Sequence, residues 1–103
     1  MSKISIIAKL TVADGKSDEF ESAITGLFEA ADEEPGLEVY SCHAAKDEPG
    51  VYYFFEVYTD GDAHKSHGRG EAMKPAMAAV GAVLAGRPEI ITLSPVGAKG
   101  LDV

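Results

Sequence analysis

His64 and His67 follow directly on Val51 to Tyr58, a run of β-branched and aromatic residues that carries one carboxylate, Glu56. A neutral imidazole takes a proton near neutral pH, its unperturbed pKa lying at about 6.5. Placed beside an acidic phenol, such a base can take its proton and leave a phenolate. A carboxyl buried among aromatics is desolvated, so Glu56 can serve as an acid or a hydrogen-bond donor. Tyr40, Phe54 and Tyr58 can form the flat apolar wall that a ring substrate needs, with His64 beside them as a binding residue. Each residue also has a plain role. His67 can merely pack or cap a helix end, Glu56 can pair with Arg69 or Arg87, and the aromatics can be ordinary core. Asp60, His64, His67 and Glu71 would share one face of an unbroken helix. Gly68 and Gly70 break that helix, so no metal site is expected.

Several elements must position these groups. Ile4, Ile6, Ala8, Leu10 and Val12 alternate with more polar residues, which predicts a strand with one apolar face. Asp14 or Ser17 can cap the following helix, and Asp18 and Glu19 suit its positive end. Phe20, Ala23, Ile24, Leu27, Phe28 and Ala31 repeat at helical spacing up to the stop at Pro35-Gly36. Asp32, Glu33 and Glu34 crowd the unfavourable end of that helix and read as a solvated face. Leu37 to Ala44 is a second strand, with Leu37, Val39 and Ser41 on one face and Tyr40 and Cys42 on the other. A turn at Lys46 to Gly50 joins it to the central strand, Val51 to Tyr58, as a hairpin.

That central strand is apolar on both faces, Val51, Tyr53, Phe55 and Val57 against Tyr52, Phe54, Glu56 and Tyr58. Alternation does not say which set lies under the helices. A short helix with a bend spans Asp60 to Gly70, and a further helix begins near Pro75 and stops at Gly86. Glu89 to Val96 is the last strand, and Gly97 to Val103 reads as a tail. The order βαββαβ predicts one α+β, ferredoxin-like domain over residues 1–103 with a four-stranded antiparallel sheet. Right-handed crossovers put both helices on one sheet face. The other face then needs a second copy of the chain, giving a homodimer.

The chain has 103 residues and a net charge of −8 at pH 7. That balance argues against nucleic acid and against anionic membrane surfaces, both of which call for Lys and Arg. The longest apolar stretch, Ala76 to Gly86, is too short to cross a bilayer. A single cysteine, Cys42, excludes an internal disulfide and suits a reducing cytoplasm. No secretory pattern opens the chain.

Leu10 to Gly15 with Phe20, Glu34-Pro35-Gly36 ahead of Tyr40, Phe55-Glu56-Val57-Tyr58 followed by Asp60, and Ala63 with His67 together resemble the antibiotic biosynthesis monooxygenase family over residues 4–96. The resemblance implies a dimeric α+β barrel with a pocket between helices and sheet. It further implies a cofactor-independent enzyme that oxidises a quinol or another hydroxylated aromatic with dioxygen, without haem, flavin or metal. His67 and Glu56 would be catalytic, and Tyr58, Phe54, Tyr40 and His64 would bind the substrate. Other relatives isomerise small phosphorylated carbonyl compounds, and a ligand-binding or stress-response module without catalysis is a third reading. Tyr58 stands where the family most often has Trp. Haem-degrading relatives use an Asn, Trp and His set, whose places are held here by Ala8, His67 and Met77 in a chain without Asn or Trp.

Overall fold

Two long apolar strands form the centre of the sheet. The structure, a computed structural model, describes residues 3–103. Its elements are β1 (Ile4–Thr11), α1 (Ser17–Ala31), β2 (Leu37–Ala44), β3 (Val51–Tyr58), α2 (Gly61–Ser66), α3 (Met73–Gly81) and β4 (Glu89–Leu93). The sheet is antiparallel in the order β2-β3-β1-β4, so the chain has the α+β, ferredoxin-like architecture. Phe20 and Leu27 of α1 and Met73 and Val80 of α3 are buried against Ile6, Ala8 and Leu10 of β1 and Tyr52 and Phe54 of β3. The open alternative on β3 is thereby resolved. Tyr52, Phe54, Glu56 and Tyr58 lie under the helices, while Tyr53 and Phe55 look to the other side.

Four local expectations change. Neither Asp14 nor Ser17 caps α1; Lys16 takes that position without a side-chain bond. Leu37 joins Tyr40 and Cys42 on the core side because a bulge between Leu37 and Val39 shifts the alternation. α3 ends at Gly81 rather than Gly86, since backbone pairing to β1 captures the chain beyond it. Leu84 bridges Val12, and the Ala85 N–H donates to the Thr11 carbonyl at 2.8 Å. β4 stops at Leu93, opposite Ser5, and Pro95 then lacks an N–H for further pairing. No helix among the described residues is long and apolar enough to cross a membrane.

The sheet face away from the helices carries the cross-strand row Ile91, Ile7, Phe55 and Ser41, and beside it Leu93, Ser5, Val57 and Val39, of which Ser5 and Val57 are already buried within the chain. Ile91 is 55% exposed and Leu93 40% exposed. Apolar rows of this kind are normally withdrawn from water by association. Light scattering at micromolar concentration is therefore expected to give twice the chain mass of 10.8 kDa. Phe55→Asp should halve that mass. A wild type that stays monomeric at all concentrations would contradict this use of the face.

Candidate functional site

Between the helices and the sheet lies a cavity of about 380 Å³. Ile6, Ala8 and Leu10 of β1 form its floor, with Leu27, Val80 and Leu84 above. Its polar end brings together Tyr40, Glu56, His64 and His67, with Phe54 alongside. No Lys or Arg lines it. Five of the six residues expected at the site thus share one cavity. Tyr58 takes a different place from the wall expected of it. It is fully buried behind the polar end, with its ring centroid 5.1 Å from that of His64 and 5.5 Å from that of His67.

The bend that presents His67 has a local cause. Asp60 caps α2, its carboxylate accepting from the Ala63 N–H at 2.9 Å. At His67 the backbone leaves the helical region, with φ −59° and ψ 131°. Gly68 then turns the chain at φ +86°, a conformation open mainly to glycine. Glu71 lies beyond this turn and is exposed, away from the histidines.

His67 Nδ1 lies 2.9 Å and 3.2 Å from the two carboxylate oxygens of Glu34. A carboxylate only accepts, so Nδ1–H donates, and in the neutral ring Nε2 keeps its lone pair. Glu34 was expected on a solvated face and instead completes the site. Its position depends on Gly36, where a Cβ would sit 2.5 Å from the Ala63 Cβ. Only glycine lets the turn after α1 approach α2 this closely. The Gly36 carbonyl further accepts from the Thr59 N–H at 2.8 Å. The sign in the sequence was the run of three acids at the negative end of a helix, which favours any one of them finding a cationic partner.

Glu56 is 8% exposed and accepts from the Tyr58 hydroxyl at 2.6 Å. Neither Arg69 nor Arg87 pairs with it; among the described residues Lys3–Glu38 and Lys16–Glu19 are ion pairs, and His67–Glu34 becomes one only when the imidazole is protonated. Burial pushes the Glu56 carboxyl above the usual carboxylate range, although the Tyr58 hydrogen bond and the two histidines oppose the shift. Burial, followed by the nearby Glu56, likewise pushes both the Tyr58 and the Tyr40 phenols up. They stay neutral hydrogen-bond donors at physiological pH. Cys42, half-buried on the core side, has a thiol pushed up to about 11 by burial and is no nucleophile. Ala8, His67 and Met77, at the three places used by haem-degrading relatives, all line the cavity. With neither amide nor indole there, the residues do not fit that chemistry.

A family model described as antibiotic biosynthesis monooxygenase matches residues 3–79. Among solved structures, a proposed antibiotic biosynthesis monooxygenase from Caulobacter crescentus CB15 is 38% identical, with 93% of this chain and 92% of that one covered at a TM-score of 0.86. Another, from Chloroflexus aurantiacus, is 25% identical, covers 98% and 100%, and has a TM-score of 0.83. SnoaB, a cofactor-independent oxygenase from Streptomyces nogalater, shares the fold at 20% identity, with 98% and 100% covered and a TM-score of 0.83. No curated protein matches the chain significantly.

The buried Glu56 makes stability depend on pH. Its folded-state pKa is raised, so its contribution is full below the unfolded value and is lost as pH rises through the folded one. Glu56→Gln keeps an oxygen that can accept from Tyr58 but cannot ionise. Its melting temperature relative to the wild type should therefore climb as pH rises from about 4 toward neutrality. Thermal melts across that range check this, and a difference that stays constant or falls would contradict the buried-carboxyl account.

Proposed function

The chain belongs to the antibiotic biosynthesis monooxygenase family, and from that membership we propose a cofactor-independent oxygenase acting on a quinol or other hydroxylated aromatic. The observation that carries this reading is the Glu34–His67 pair at the polar end of an otherwise apolar cavity. A base held in one tautomer, with Nε2 left free to take a proton, suits removal of a phenolic proton. Glu34 then stabilises the imidazolium that forms. Glu56, with its raised pKa, can donate a hydrogen bond to a second oxygen of the substrate while Tyr58 holds it in place. The apolar walls accommodate the rings and exclude water from the phenolate.

For a hydroxyarene, a ring CH2 carbon of its keto form reacts with one dioxygen to give a ring carbonyl and one water; for a quinol, one ring C–H becomes C–OH as the ring is oxidised to the hydroxyquinone, again with one dioxygen consumed and one water formed. The substrate supplies all the electrons, so no external reductant enters. A phosphorylated carbonyl substrate fits less well, because no Lys or Arg lines the cavity to hold its phosphate. We place the enzyme as a homodimer in the cytoplasm, in keeping with the apolar sheet face and the single unpaired thiol.

Oxygen uptake with a panel of quinols and hydroxyarenes tests the reading. The wild type should turn over at least one of them, and His67→Ala should lower that rate by about a hundredfold or more while circular dichroism stays native. Full activity in His67→Ala would remove it as the base. Tight binding across the panel without any oxygen uptake would indicate a binding module instead.

A further inference from the structure

Gly81, at the end of α3, has no backbone or packing reason to be glycine. Its φ is not positive. A Cβ built there meets no atom within 4 Å. Glycine weakens a helix relative to alanine, so the position gives up stability without a local return. What it does have is a place on the cavity wall. Met77 and Gly81 lie one turn apart on one face of α3, and Leu84, just past the helix end, lines the cavity with them. Val80 and Leu84 are covered, whereas Gly81, Pro88 and Ile90 are exposed, so this is the rim rather than the floor. The polar end, with His67 and Glu56, is built from other elements, the end of β3 and the segment after it.

We propose that Gly81 is the size-determining residue of the site, leaving the rim open for the far ring of a fused polycyclic hydroxyarene whose reacting end lies against His67. The inference rests on the oxygenase reading for the word substrate, but its geometry concerns binding alone. A branched side chain at position 81 would add bulk at the opening, beside Met77 and Leu84. It would crowd a ligand that reaches the rim and would spare one confined to the polar end. At about 380 Å³ the cavity lies toward the small end of the roughly 300–1,000 Å³ usual for small-molecule sites. One side chain at the rim therefore changes the accessible length appreciably.

The experiment compares a one-ring quinol with a three-ring hydroxyarene in the wild type, Gly81→Ala and Gly81→Leu. A second arm measures, by calorimetry, binding of a one-ring and a three-ring aromatic ketone that carry no hydroxyl and no ring CH2 and are therefore inert to dioxygen. The ratio of kcat/KM for the three-ring over the one-ring substrate should fall at least about tenfold in Gly81→Leu and less in Gly81→Ala. The affinity ratio of the inert ketones should move in parallel. Gly81→Ala should melt no lower than the wild type, and it keeps the comparison available if Gly81→Leu does not fold; a lower melting temperature would show that the glycine is needed structurally and overturn the proposal. Unchanged ratios in both arms would also overturn it, with the oxygenase reading intact if turnover persists. Loss of three-ring binding in the variants of a protein that turns over neither substrate would support Gly81 and refute the oxygenase reading. A wild type that binds neither ketone would refute the rim's role as well.

Discussion

The site depends on one hydrogen bond, from His67 to Glu34, between segments 33 residues apart in the chain. A hydrogen bond to a charged group contributes about 1.5–3 kcal/mol when shielded, and less where solvent reaches it. Here the side chains are 12% and 18% exposed, so the pair is largely but not wholly shielded. Its functional value exceeds its energetic one, because it decides which imidazole nitrogen is available for a proton. The pair exists only because the turn after α1 lies against α2, and Gly36 allows that approach. A methyl group at residue 36 would push the two segments apart and take Glu34 away from His67.

The central strand divides its two faces between two tasks. Under the helices it contributes Phe54 and Glu56 to the cavity and Tyr58 behind it. On the other side Phe55 joins Ile7 and Ile91 in an apolar row suited to association. The polar end of the cavity combines two histidines, His64 and His67, with a carboxyl whose pKa burial raises and with phenols that burial keeps neutral. A dry, apolar enclosure strengthens each of the few hydrogen bonds made inside it. That balance suits a substrate with one acidic hydroxyl on a large apolar body better than a multiply charged one.

Much of this was readable from residue order. Alternation and helical spacing located the four strands and the long helix, and Val51 to Tyr58 stood out as the strand apolar on both faces. His67, Glu56, His64, Tyr40 and Phe54 were identified as candidates and do share the cavity. What stayed hidden depended on contacts distant in sequence. The bulge that turns Leu37 inward follows from its pairing with β3, and periodicity within β2 does not report it. α3 ends early because β1 offers Leu84 and Ala85 backbone partners, a competition absent from the local pattern. Glu34 read as solvated because its partner lies in another element. Gly81 carries no signal of its own in the sequence, because what marks it is the open space around it at the cavity wall.

The central claim is that Glu34 holds His67 with its proton on Nδ1 and its Nε2 lone pair free. Nitrogen-15 NMR of the imidazole rings, at a pH where His67 is neutral, reports this directly. The account predicts that His67 is the Nδ1–H tautomer in the wild type and shifts toward Nε2–H in Glu34→Gln. A His67 ring carrying its proton on Nε2 in the wild type, or one whose tautomer ignores the loss of the carboxylate, would contradict it.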